Sequence, residues 1–209
     1  MAKIKKMGIM GGTFDPLHYG HLLAAEWARE LCQLDRVAFV PAARPPHKQL
    51  DAVLDGQHRF AMVKLGIRGN RYFTASAVEL ERQGLSYTVE TVTAYLEMYP
   101  GAEIYFILGM DALLLTSTWK DVDHLAGLCQ FIVATRPGYA IDRNAADFMG
   151  VPESLWEKIR FITIPGMNIS SSGIRARVAE GKTIKYLLPG PVEKYINEHR
   201  LYLPHGKKS

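Results

Sequence analysis

The stretch Gly8-Ile9-Met10-Gly11-Gly12-Thr13-Phe14-Asp15-Pro16-Leu17-His18-Tyr19-Gly20-His21 decides how the rest of the chain is read. It leaves a short apolar run, crosses paired glycines and ends on two histidines three residues apart. Strand, open turn and helix N-terminus in that order are how α/β proteins hold phosphate. With the helix beginning near Tyr19, the spacing of His18 and His21 puts both imidazoles on one face of its first turn. A His-x-x-His pair can ligate zinc, but a helix N-terminus repels a cation and attracts an anion, to which imidazole N–H groups can donate. No third ligand follows at obvious spacing, so the reading is phosphate contact and no metal site. Gly11 and Gly12 allow close backbone approach to a ligand, a positive φ, or simply a tight turn.

Outward from this stretch, apolar strand-like runs alternate with helical patterns. Residues 4–10, 37–40, 73–78, 104–108, 128–135 and 161–164 read as strands. Helices are expected over 22–32, from Asp55 to about Leu65, from Ser86 or Thr88 to Met98, and over 170–179 and 192–199, with shorter pieces near 113–125, 145–149 and 153–158. Residues 41–48 hold three prolines and read as a loop. The alternation predicts a doubly wound, Rossmann-like parallel α/β sheet with helices on both faces, in one domain over 1–209 with a helical C-terminal part at about 170–200 and a frayed tail at 205–209. Ligands of such sheets bind at the carboxyl ends of the strands. Gly11 to His21, Arg44 to Lys48, Gly109 to Asp111, Arg136, and Ser170 to Arg175 all follow predicted strands, so they should converge on one edge.

Composition narrows the class without naming the chemistry. Of 209 residues 48% are hydrophobic and 22% charged, ordinary for a globular protein. Met1 to Lys6 carries lysines with no apolar run behind them, so no signal peptide is expected, nor any membrane span. Two cysteines, Cys32 and Cys129, lie in apolar segments and read as buried thiols in a reducing, cytoplasmic setting. A net charge of +4 suits an anionic small molecule or nucleic acid equally. No Lys/Arg stripe interleaved with aromatics is present, so neither nucleic acid nor membrane is expected as a partner. Whether the chain forms a homo-oligomer stays open.

Other stretches have two readings each. Ser170-Ser171-Ser172-Gly173-Ile174-Arg175 offers hydroxyls, helix N–H groups and a guanidinium, or ordinary helix capping. Trp119 is a ring platform or core. Lys48 contacts an anion or is solvated. Asp111 accepts from ribose hydroxyls or caps the next helix. Gly181-Lys182-Thr183 resembles the end of a P-loop, but Ala176 stands where the first glycine belongs, so Gly181 is read as a helix stop.

These residues together resemble a known family. Gly12, Phe14, Pro16, His18 and His21 fill the nucleotidyltransferase signature G-x-F-x-P-x-H-x-x-H. Ile169 to Arg175 matches its partner I-S-S-T-x-I-R, with Ser172 in place of Thr. Pro45-Pro46-His47-Lys48, Gly84 to Thr88, Gly109-Met110-Asp111, Trp119 and Arg136-Pro137-Gly138 are similar, in order, to the bacterial nicotinate-nucleotide adenylyltransferases. The resemblance implies transfer of the adenylyl group of ATP to nicotinate mononucleotide, giving deamido-NAD and pyrophosphate. It implies that His18, His21, Ser171, Ser172 and Arg175 hold the polyphosphate, with His18, His21 and Arg175 catalytic and with Gly12 and Ser170 also on the ATP side. Gly11, Thr13 and Phe14 would line the cleft between the nucleotides, and Gly109 and Asp111 would meet the ATP ribose. Trp119 would stack the nicotinate ring and the Thr88 N–H would meet its carboxylate. Tyr87, Lys48 and Arg136 would complete the mononucleotide side. Mg²⁺ is expected to ride on ATP. The rival readings are another acceptor (nicotinamide mononucleotide or phosphopantetheine) and a non-catalytic nucleotide-binding protein.

Overall fold

The computed structural model describes residues 3–44, 53–82, 84–139 and 141–204. In chain order the elements are β1 (Lys6–Gly12), α1 (Tyr19–Leu31), β2 (Arg36–Pro41), α2 (Gly56–Gly66), β3 (Phe73–Ala75), α3 (Thr88–Met98), β4 (Glu103–Gly109), α4 (Met110–Leu113), α5 (Val122–Leu128), β5 (Gln130–Thr135), α6 (Glu153–Trp156), β6 (Ile159–Thr163), α7 (Ser171–Ala179) and α8 (Gly190–Glu198), with 3₁₀ turns at Thr116–Thr118 and Ala146–Phe148. The six strands form one parallel sheet in the order β3-β2-β1-β4-β5-β6. The order reverses between β1 and β4. There the connections leave in opposite directions and open a crevice at the strands' carboxyl ends. The doubly wound expectation holds.

Alternation along β1 divides the core. Met7 and Ile9 face a cluster containing Val89, Val92 and Tyr95 of α3, Leu125 of α5 and Leu155 of α6. Met10 faces the other side, against Ala24, Ala25 and Ala28 of α1. Those three alanines let α1 lie close on the sheet, which brings its N-terminus up to the crevice. A third cluster joins Met62 of α2, Ile174 of α7 and Val192 and Ile196 of α8, so the C-terminal helices dock on α2 and not on the sheet.

Most expected elements are present, with changes at their ends. The run expected over 73–78 stops at Ala75. Ser76 N–H still donates to Phe39 O, but Glu81 N–H then turns back to Ala77 O, and the chain leaves the sheet edge. Helix α3 starts at Thr88 with Tyr87 at its N-cap, and no side chain caps it. Asp55 caps α2 as expected, accepting from Gln57 N–H at 2.8 Å. Gly181 has φ +71°, the left-handed turn of a helix stop.

Candidate active site

The crevice is a cavity of about 910 Å³. Gly11, Gly12 and Thr13 at the end of β1, His18 and His21 on α1, Gly109 and Asp111 after β4, Tyr87 and Thr88 at the start of α3, Trp119, and Arg136 after β5 all contribute to its wall. The predicted convergence is therefore real for these residues. Lys48 and its neighbours Pro45 to His47 lie outside the described residues.

The histidines are held by each other. His18 Nδ1 accepts from the Gly20 N–H at 3.1 Å, and the His18 N–H donates to His21 Nδ1 at 3.3 Å. This reciprocal cap serves the N–H groups that the first turn of α1 leaves without helical partners. Each imidazole is thereby an acceptor at Nδ1, so in its neutral form it carries its hydrogen at Nε2. The rings stack with centroids 3.8 Å apart, and Phe14 meets His21 edge-on at 5.1 Å. A Cβ at Gly20 would meet the His18 ring at 3.0 Å, so glycine is what allows the cap to close.

Burial lowers the His18 pKa from 6.5 to about 4, so this imidazole is neutral at physiological pH. The unfolded chain takes up that proton near pH 6.5 and the folded chain only near 4. This contribution to stability is thus complete above about 6.5 and lost as pH falls toward 4. Denaturant midpoints between pH 7 and 4.5 should fall more steeply for the wild type than for His18→Asn, which keeps a capping side chain but cannot titrate. Equal slopes would remove His18 as the source.

Of the readings for the paired glycines, positive φ and a tight turn do not hold, while both line the cavity as close approach requires. Both lie within β1, and neither is among the residues of positive φ. Rings require them: a Cβ at Gly11 would stand 2.9 Å from Phe106 and one at Gly12 3.1 Å from Phe14. At Gly109 a Cβ would meet nothing within 4 Å, so that backbone faces open cavity. Phe14 itself is buried, with φ +48°, and supports His21 from behind the wall. Asp111 sits in the first turn of α4, whose N-cap is Gly109, so Asp111 caps nothing. Trp119 borders the cavity and also packs edge-on against Phe106, 5.8 Å between centroids, as a core residue does.

The serine-arginine turn stands beside the cavity, not in its wall. Ser170 Oγ accepts from Gly173 N–H at 3.1 Å and lies 3.3 Å from Ser172 Oγ. Ser171 donates to Pro16 O at 2.9 Å, and Arg175 donates to Asp15 O at 2.7 Å. The turn thus braces the backbone of the loop that carries the histidines.

Sequence reading missed the buried groups behind that loop. Arg59, 1% exposed, donates to Leu54 O and Thr13 O, both at 2.8 Å, and to Ala43 O at 3.5 Å. Tyr202 donates to the buried Asp15 Oδ1 at 2.7 Å from the far end of the chain. The available signal for Arg59 was an arginine sharing the inward face of α2 with Met62 and Val63. For Tyr202 there was none, because its partner is 187 positions away.

The chain matches the cytidylyltransferase-like family over residues 9–177. A Moorella thermoacetica protein described as a probable nicotinate-nucleotide adenylyltransferase is 48% identical over 200 residues, covering 95% of this chain and 92% of that one. This chain belongs to the nicotinate-nucleotide adenylyltransferase family. A Thermoanaerobacter relative of the same description is 44% identical, covering 97% and 96% of the two chains. The fold is shared with Plasmodium falciparum nicotinic acid mononucleotide adenylyltransferase, solved with NaAD (TM-score 0.75, 23% identity, 95% and 97% covered). A second structure of that enzyme, complexed with APC, superposes with a TM-score of 0.74. No helix among the described residues is long and apolar enough to cross a membrane.

Proposed function

We infer that the protein joins ATP to nicotinate mononucleotide, releasing pyrophosphate and forming deamido-NAD. One observation carries the reading: a single cavity is lined by two differently equipped sets of groups. One is the stacked imidazoles at the N-terminus of α1, which suit an anionic polyphosphate. The other is Trp119 and the N-terminus of α3, where no side chain caps the helix, which suit a flat ring bearing a carboxylate. Family membership supports the same pairing.

The mononucleotide 5′-phosphate is anionic at neutral pH, so it needs no general base. Its oxygen attacks the α-phosphorus of ATP in line, the bond to the β-phosphate bridge breaks, and pyrophosphate leaves. No protein nucleophile takes part, so catalysis is positioning plus charge stabilisation. His18 and His21 donate from Nε2 to the phosphates, and Ser170, Ser171, Ser172 and Arg175 brace the loop and add donors as the pyrophosphate separates. Gly109 and Asp111 take the ATP ribose. Arg136, Tyr87 and Thr88 frame the mononucleotide. Mg²⁺, brought in on ATP, would neutralise phosphate charge. The donor-rich groups around the histidine loop fit the anionic phosphates and leave the cation to the nucleotide. Buried free thiols at Cys32 and Cys129 support a reducing, cytoplasmic location.

The test is pyrophosphate release with ATP and each mononucleotide. Release should depend on the mononucleotide, and kcat/KM should favour the acid over the amide by roughly tenfold to a hundredfold, the range for losing a charged hydrogen bond. No mononucleotide-dependent release would overturn the enzymatic reading, and equal values would overturn the acid preference.

A further inference from the structure

Glu79 lines the cavity beside the start of α3, yet the chemistry above gives it no task. It is 7% exposed, and burial pushes its pKa up. Thr91 of α3 donates to its Oε1 at 2.6 Å, and the Ser86 hydroxyl is near enough to the carboxylate to work against the burial by lowering its pKa. Ser86 is then fully engaged. Its Oγ accepts from Ala43 N–H at 2.8 Å and from Arg44 N–H at 3.3 Å, while its own N–H donates to Arg44 O at 3.1 Å. A hydroxyl has one hydrogen and two lone pairs. With both lone pairs taken by amides, the hydrogen needs an acceptor, and the Glu79 carboxylate is the acidic group within its reach. On the other side Thr91 Oγ1 accepts from Arg82 at 3.1 Å while donating to the carboxylate.

We propose that Glu79 is a positioning residue for the mononucleotide subsite. It locks Ser86 to the segment after β2 and locks α3 to Ser86, so Tyr87 and Thr88 meet the mononucleotide at a fixed height. The role rests on reading this part of the cavity as the acceptor subsite. An amide at position 79 would offer hydrogens where the network needs a second acceptor, since Ser86 has no lone pair left to receive them. The α3 N-terminus would then shift relative to the segment after β2, while the histidine loop keeps its own supports.

The experiment is steady-state kinetics on full-length Glu79→Gln, Ser86→Ala and the double variant, each mononucleotide and ATP titrated separately. Each single variant should raise the mononucleotide KM about tenfold, with kcat and the ATP KM within about twofold. The double variant should be no worse than the worse single one, because both break one linkage. Ser86 is the less buried partner, so Ser86→Ala reads out the linkage even if Glu79→Gln folds poorly. An unchanged mononucleotide KM in Ser86→Ala, an ATP KM rising in parallel, or additive effects would overturn the positioning role. A wild type without mononucleotide-dependent pyrophosphate release would overturn the functional reading and this role with it. An active wild type with unmoved variants overturns this role alone.

Discussion

His21→Ala is expected to lower kcat about a hundredfold or more, on the order of 3 kcal/mol, the usual cost of losing a donor aimed at developing charge. In the inferred reaction the charge that grows is on the departing pyrophosphate, and His21 stands at the helix end that attracts it. Its geometry is over-determined: Nδ1 is held by the His18 N–H, one ring face by the His18 imidazole and an edge by Phe14. Such a ring arrives already oriented, so its donor costs no reorganisation when the bond to pyrophosphate breaks. Removing it also takes away one cap of α1, which costs about 1 kcal/mol of stability. The two losses separate cleanly, since turnover should collapse at temperatures where far-UV circular dichroism shows the fold intact. Wild-type kcat in a folded variant would remove His21 from the mechanism.

Arg59→Met is expected to destabilise the fold by about 3 kcal/mol or more. Three carbonyls, of Thr13, Ala43 and Leu54, would lose their donor in a site that water barely reaches. Asp15, 3% exposed, would lose one of the cations whose field it shares. Breaking a buried charged arrangement from one side costs about 3–5 kcal/mol. Methionine fills most of the volume, so the loss is polar and not a cavity. Arg59→Lys keeps the charge but cannot span three carbonyls, and should recover only part of the stability. Urea unfolding at neutral pH measures both. A midpoint shift worth less than about 0.5 kcal/mol for Arg59→Met would show that the carbonyls find other partners.

Arg59 and Glu79 also mark where sequence reading stops. Residues that act through local geometry were legible. The histidine pair is a helix-turn pattern, the Asp55 cap is a one-turn pattern, and the strand-helix alternation has a short period. Phe14 was assigned to the cleft from its place in a motif. The structure puts its ring behind His21, because a positive φ at that residue turns the side chain into the core. The serine-arginine turn was found as a motif, but its partners, the carbonyls of Asp15 and Pro16, lie 155 to 160 positions away.

By itself the sequence determined the doubly wound class, the glycine-histidine loop at the head of α1 and the family, because each rests on side-chain type at short spacing. Only the tertiary structure decided which side chains face the cavity and which hold the loops that do. Gly11 and Gly12 are glycines because of Phe106 and Phe14. Thr13 and Ala43 share Arg59, and Ser86 and Thr91 share Glu79. These are pairings across separate loops, and a hydrogen bond depends on distance in space, on which residue type at short spacing carries no information.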